Sequence, residues 1–122
     1  VVPVEINPMR CAGWCTTDLA YFAYGINVYE HFHRGLKPDW GEILKDKGGE
    51  TYYFAMAETP SNIDRSRIAF DHEAFKRCFS GILDYREIDH RQRPLFAIVF
   101  GRTESKDEID RILKLKTQEF IR

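Results

Sequence analysis

Apolar residues along the chain form two continuous runs that predict β-strands. Residues 95–100 are all apolar, a pattern typical of a strand covered on both faces. Residues 51–57 are aromatic or apolar after Thr51 and are followed by Glu58, Thr59 and Pro60, which predicts a second strand that ends there.

A β-hairpin is predicted over residues 39–57. Its first strand opens at Asp39 and contains the apolar pair Ile43 and Leu44, and residues 46–49 supply a Gly-Gly turn signal. The strand over residues 51–57 then returns antiparallel. Asp39 and Glu58 are therefore expected side by side at one end of the hairpin.

Helical spacing predicts two helices in the second half of the chain. One spans residues 67–83 and has a single apolar face made of Ile68, Phe75, Phe79 and Ile82. A polar, basic loop over residues 84–93 follows it. The last helix begins with a capping box of Ser105 and Glu108, and its expected core face contains Ile109, Ile112, Leu113 and Phe120.

Residues 16–32 leave two interpretations open. The first half is consistent with a helix capped by Thr17 or Asp18, whereas residues 26–32 alternate well enough for a strand. Taken together, the elements predict an α/β fold in which a mixed β-sheet is flanked by helices.

The length of 122 residues fits one domain spanning 1–122. The chain begins with Val rather than Met, which fits a fragment of a larger protein or an excised domain. An odd count of three cysteines argues against a disulfide framework. Neither a signal peptide nor a membrane-spanning run is found, so we expect a cytoplasmic protein with no membrane partner.

The charge balance limits how the chain would hold a nucleic acid. The formal net charge is -1, whereas a free-standing nucleic-acid binder is usually basic. A DNA enzyme of this charge would leave most of the DNA to another domain or subunit. Five arginines either line a DNA path or are ordinary surface charges: Arg65, Arg67, Arg77, Arg91 and Arg93.

Asp39 and Glu58 are the residues whose pattern suggests metal chemistry. Hydrolysis of a phosphodiester assisted by Mg²⁺ needs oxygen ligands for the ion and a group that stabilises the developing charge. Two carboxylates at one end of a hairpin would converge on a single metal. This arrangement is the physical core of the PD…(D/E)xK nuclease pattern, which also has a lysine two residues after the second acid.

Three blocks of sequence resemble the C-terminal endonuclease domain of type III restriction enzyme subunits. They are Pro38-Asp39-Trp40, then Tyr52-Tyr53-Phe54 with Ala57-Glu58-Thr59, then Arg67-Ile68, Glu73, Lys76 and Cys78-Phe79. The resemblance implies a restriction-endonuclease-like fold and Mg²⁺-dependent cleavage of double-stranded DNA. It also implies an ATP-dependent helicase portion of the same large subunit and a methyltransferase subunit as partners.

One position departs from the resembled pattern, because Pro60 stands where the catalytic lysine is expected. Proline has neither charge nor donor, so it cannot replace the lysine. Two hypotheses follow. Either Lys76 on the following helix reaches the site and the domain cleaves DNA with Asp39 and Glu58, or the domain is a degenerate, non-catalytic nuclease-fold module for DNA or subunit interaction.

Two further motifs have weaker interpretations. His31-Phe32-His33 is similar to the metal motif of rolling-circle nickases if it lies on a strand, and is otherwise a pair of edge histidines. Cys11 and Cys15 could bind zinc together with one of these histidines, although the spacing of the two cysteines differs from that of common zinc sites. Cys78 is expected in the packed core.

Overall fold

The computed structural model describes residues 15–122 of the chain. These residues fall into two compact units that divide between Asp46 and Lys47, and each is described by itself. That 1–122 acts as one nuclease-like domain stays a prediction.

The described part of the first unit is helical. It contains α1 (Thr16–Tyr24), α2 (Val28–Arg34) and α3 (Trp40–Leu44). Glycines with positive φ end the first two helices, Gly25 at 70° and Gly35 at 62°, a backbone conformation that other residues adopt only with strain. Ala23 and Ile26 are buried in this unit.

The helical interpretation of residues 16–24 is confirmed, although the N-cap is Cys15 rather than Thr17 or Asp18. The strand alternative for residues 26–32 is wrong. Asn27 is the N-cap of α2, and its side chain accepts the amide of Glu30. His31 and His33 therefore lie on a helix, where residues two apart do not face each other. The strand-borne metal motif is excluded. The zinc hypothesis involves Cys11, which lies outside the described residues.

The second unit is a three-stranded antiparallel sheet with helices packed on it. The strands are β1 (Thr51–Glu58), β2 (Ile82–Glu87) and β3 (Leu95–Thr103), in the order β1-β3-β2. The helices are α4 (His72–Lys76) and α5 (Lys106–Ile112), with short 3-10 turns at Arg65–Arg67 and Thr117–Phe120. The α/β class is confirmed, but the described sheet is antiparallel throughout rather than mixed.

The central position of β3 agrees with its apolar sequence. All six residues from 95 to 100 are buried, as expected for a strand with neighbours on both edges and cover on both faces. β1 and β2 both run antiparallel to β3, so they run parallel to each other. Their C-terminal ends therefore lie at the same end of the sheet as the start of β3.

An aromatic cluster forms the core between the sheet and the helices. Phe70 stacks on Phe96 with ring centroids 4.5 Å apart, and Phe75 meets Phe120 edge-on at 5.2 Å. Phe79 packs against the ring of Tyr53. Each fully buried phenylalanine stabilises the fold by about 2 kcal/mol from area alone.

The predicted hairpin over residues 39–57 is not formed, so that prediction is wrong. Residues Trp40–Leu44 are a helix, and β1 pairs with β3 instead. Two local causes explain this. The Asp39 side chain accepts the amide of Glu42 and caps a helical turn. The apolar pair Ile43 and Leu44 is too short to compete with β3 as the partner of β1.

The predicted helix over residues 67–83 is also wrong in extent. Only His72–Lys76 is α-helical, started by the Asp71 cap on Ala74, and Ile82–Glu87 is a strand. The predicted loop over residues 84–93 therefore begins later, after β2. Phe75 and Phe79 are buried, as the apolar spacing indicated. Ile82 is exposed, and it begins β2 rather than continuing the helix.

The capping box at the last helix is half confirmed. Ser105 Oγ accepts the amide of Glu108 at 3.2 Å, as predicted. The Glu108 carboxylate does not reach back to the N-cap but accepts hydrogen bonds from Ser80 and Thr103. The helix ends at Ile112. Leu113 is 78% exposed rather than in the core, whereas Phe120 is buried in the 3-10 turn.

Glu108 is a buried carboxylate that links three elements of the second unit. It is 3% exposed and accepts from the Ser80 amide at 2.8 Å, the Ser80 hydroxyl at 2.6 Å and the Thr103 hydroxyl at 2.7 Å. These hydrogen bonds, led by the Ser80 hydroxyl, hold the pKa of Glu108 below its usual value. Burial, followed by the charge of Glu108, raises the pKa of Tyr53 to about 12.

Candidate functional site at the Glu58 end of the sheet

One end of the sheet in the second unit brings together the segments that follow β1 and β2. Glu58 pairs with Leu95, and Glu87 pairs with Ala97 two residues further along β3. The amide of Thr59 donates to the carbonyl of Pro94 at 3.1 Å. The segment after β1 and the loop that precedes β3 are therefore neighbours.

Glu58 lies at the rim of an open pocket of about 470 Å³ at this end. The lining is mostly polar and comes from two segments of chain: Glu58, Thr59, Pro60, Ser61, Leu115, Lys116, Thr117 and Gln118. Glu58 is exposed and ends β1, as predicted. It contributes the one carboxylate of the lining.

Lys116 is the cation that shares this pocket with Glu58. Among the described residues, neither of these two side chains forms an ion pair. Sequence reasoning missed Lys116 because it follows the last helix, far along the chain from Glu58. No local pattern links the two positions, and only the fold of the second unit brings them together.

Asp39 does not take the place predicted for it. It is the N-cap of α3, where its Oδ1 accepts the amide of Glu42 at 3.2 Å, and it belongs to the first unit. The hairpin that was expected to carry it to Glu58 is absent. Its role in the described structure is that of a helix cap.

Lys76 is held by carboxylates other than Glu58. Its Nζ lies 2.9 Å from Glu73 and 3.6 Å from Glu87, and 4.5 Å above the ring of Tyr85. The hydrogen bond to Glu73 raises the pKa of Lys76, so the side chain stays protonated. The positive charge of Lys76 is balanced by these two carboxylates.

Tyr85, which lies under the Lys76 ammonium, also connects β2 to His72 of α4. The Tyr85 hydroxyl and His72 Nδ1 are 2.7 Å apart and share a hydrogen bond. Burial raises the pKa of Tyr85, so the phenol stays neutral. Lys76 therefore ties a helix to an edge strand, a structural role.

The five arginines that sequence analysis singled out have different surroundings. Arg67 pairs with Asp64 at 3.4 Å, and Arg77 caps the end of α4. Arg65 Nη1 lies 3.5 Å from the carbonyl of His90. Arg91 and Arg93 are exposed in the loop before β3, which is the loop that Arg65 contacts through the His90 carbonyl.

The residues around Glu58 do not fit the Mg²⁺ site that the resemblance implies. Magnesium takes near-octahedral oxygen ligands, usually including one or two carboxylates with substrate phosphates. Glu58 is the single carboxylate of its pocket, and Asp39 caps a helix. Within residues 15–122, no group of three or more His, Cys, Asp or Glu side chains is arranged to hold a metal ion.

Comparison with protein-family models, curated proteins and solved structures finds no match to this chain. None of the helices in the described part of the chain is long and apolar enough to cross a membrane.

Proposed function

We propose that this chain is a non-catalytic, nuclease-derived module of a restriction-type assembly that contacts double-stranded DNA. The observation that supports it best is the placement of Lys76, the cation expected to replace the lysine missing at Pro60. It is neutralised by Glu73 and Glu87 rather than available to Glu58.

The chemistry of phosphodiester cleavage supports the same conclusion. Hydrolysis needs a metal or an equivalent charge at the attacked phosphate and a donor for the developing negative charge. Pro60 supplies no donor, and the Asp39 carboxylate accepts the amide of Glu42 as a helix cap. Both points support a module that carries parts of the resembled nuclease pattern without cleaving DNA.

The assignment to a restriction-type assembly rests on the sequence blocks around Asp39, Glu58 and Lys76. By the same resemblance, we propose that the α/β fold is a reduced restriction-endonuclease-like fold. A helicase portion and a methyltransferase subunit are the proposed partners, and they would hold most of the DNA. The net charge of -1 agrees with a module that makes only a few phosphate contacts by itself.

Plasmid cleavage tests the proposal. Supercoiled DNA is incubated with Mg²⁺ or Mn²⁺ and wild type, Pro60→Lys, Glu58→Ala or Lys76→Ala. We expect no nicking above background from any of the four, Pro60→Lys included, because a lysine at position 60 leaves Glu58 the single carboxylate of its pocket. Wild-type cleavage that disappears in Glu58→Ala would contradict a non-catalytic role.

A Mg²⁺-dependent endonuclease is the second candidate function, and the pocket shared by Glu58 and Lys116 is the observation that favours it. Lys116 would then supply the charge that the pattern assigns to the missing lysine. In that case wild type cuts the plasmid, Lys116→Ala abolishes cutting, and Lys76→Ala leaves it unchanged.

A further inference from the structure

Three arginines gather at the Glu58 end of the sheet, and we call Arg65, Arg91 and Arg93 the arginine edge. Arg65 begins the 3-10 turn in the segment after β1, and the other two lie in the loop before β3. The contact between Arg65 and the His90 carbonyl joins these two segments directly. Residues distant in sequence thus share one surface.

This surface is held in shape by bonds that do not use the guanidinium groups of Arg91 and Arg93. Asp89 accepts the backbone amide of Arg91 at 3.1 Å, and its carbonyl accepts the amide of Arg93 at 3.0 Å. On the other side of the loop, His90 Nε2 lies 3.1 Å from the Ile68 carbonyl. The loop is therefore ordered before any ligand arrives, which lowers the entropic cost of binding.

The carboxylates nearby leave the arginine edge without ion pairs. Asp64 forms an ion pair with Arg67 and caps the 3-10 turn that follows it. Asp89 accepts hydrogen bonds from the amides of its loop and from the Gln92 side chain. Glu58 lines the pocket. Among the described residues, none of the three arginines of the edge has a carboxylate within ion-pair distance.

We infer that the arginine edge binds the phosphate backbone of duplex DNA. This inference rests on the proposed function for the choice of DNA, and on charge complementarity for the choice of surface. Arginine presents a planar fork of donors that matches phosphate oxygens in pairs, which lysine cannot do. Backbone contacts of this kind position a protein on DNA without reading its sequence.

Three phosphate contacts predict weak and salt-dependent binding. Counterion release gives a slope of about -0.9 per neutralised phosphate, so log Kd plotted against log salt should change by about 3 units per decade. Nonspecific affinities of this kind lie in roughly the micromolar to 100 micromolar range.

The test is fluorescence anisotropy of a labelled DNA duplex with EDTA present, so that no cleavage interferes. Arg91→Gln/Arg93→Gln removes two exposed charges at the edge. Arg102→Gln/Lys106→Gln is the control, because it removes two charges at the opposite end of β3, where Arg102 is paired with Glu50. An RNA duplex of the same sequence is the second probe.

We expect the edge variant to weaken DNA binding by roughly 10-fold at low salt and to lower the salt slope by about 2. The control should change affinity by less than about 2-fold. Equal losses in both variants, or an unchanged slope in the edge variant, would overturn the inference and leave the proposed DNA contact standing. Tighter binding of the RNA duplex, or no binding of DNA by wild type, would overturn both.

Discussion

At the scale of single residues, two of the three polar side chains of the resembled nuclease pattern have partners within the fold. Asp39 bonds a helix amide, and Lys76 sits between two carboxylates. Glu58 alone remains free, at the rim of a pocket. By contrast, Glu108, whose carboxylate accepts three hydrogen bonds, has no counterpart in the pattern and belongs to the core.

Replacing Glu108 by Ala is expected to destabilise the protein by about 3 kcal/mol. The change leaves the buried Thr103 hydroxyl and the Ser80 hydroxyl without their acceptor. Chemical denaturation measures the free energy of unfolding. Glu104→Ala is the control, since Glu104 is exposed, and it should change stability by less than about 0.5 kcal/mol. Equal effects of the two variants would refute the role of Glu108.

The same carboxylate makes stability depend on pH in a defined direction. The folded pKa of Glu108 is lowered, whereas a glutamate in the unfolded chain titrates near about 4.3. Its stabilisation is therefore full above about pH 4.3 and is lost as the pH falls through the folded pKa. The stability difference between wild type and Glu108→Gln should be largest at neutral pH and shrink in acid. A difference that grows in acid would contradict this assignment.

At the scale of elements, the sequence predicted the two strands whose residues are apolar in an unbroken run. β3 was found because burial on both faces leaves no other composition, and β1 because its half-buried residues are almost all aromatic or apolar. β2 was missed, since Ile82–Glu87 mixes apolar and charged residues as an edge strand does. Its identity depends on pairing with β3, which is a tertiary contact that local spacing does not encode.

The candidate site shows the same limit. The end of β1 at Glu58 was predictable from the breaker sequence that follows it. The helix cap at Asp39 was not predictable, because a Pro-Asp pair is compatible both with a cap on the Glu42 amide and with the start of a strand. Lys116 and the arginine edge depend on how β1 and β3 meet, so their grouping required the fold.

The cap at α3 predicts which substitutions Asp39 tolerates. Asparagine can still accept the Glu42 amide, so Asp39→Asn should leave stability within about 0.5 kcal/mol, whereas Asp39→Ala should cost about 1 kcal/mol. Hydrogen exchange at the Glu42 and Ile43 amides reports the helix directly. Faster exchange in both variants alike would show that the carboxylate has a role other than capping.

Close packing where β2 begins predicts a strict need for glycine. A Cβ at Gly81 would lie 2.3 Å from the Arg102 carbonyl oxygen, which is backbone of the central strand. Gly81→Ala should therefore destabilise the protein by about 2 kcal/mol. Gly48→Ala is the control, because nothing lies within 4 Å of its added Cβ. Thermal unfolding compares the two, and equal melting temperatures would place the β2 start elsewhere.

At the scale of the whole molecule, the described chain comprises two compact units, and the residues expected to share a metal belong to different ones. The second unit holds the sheet, the Glu58 pocket and the arginine edge. Its chemistry suits phosphate binding more than phosphate cleavage, because it offers several guanidinium groups and one free carboxylate at the same end.

Mn²⁺ binding, followed by the electron paramagnetic resonance signal of the free ion, tests most directly whether a cleavage site is assembled. The account predicts no stoichiometric binding tighter than about 1 mM, since one carboxylate and a few neutral oxygens hold such ions weakly. One-to-one binding in wild type that is lost in both Asp39→Ala and Glu58→Ala would contradict the account. It would show that the two carboxylates meet around a metal, as the sequence pattern alone predicts.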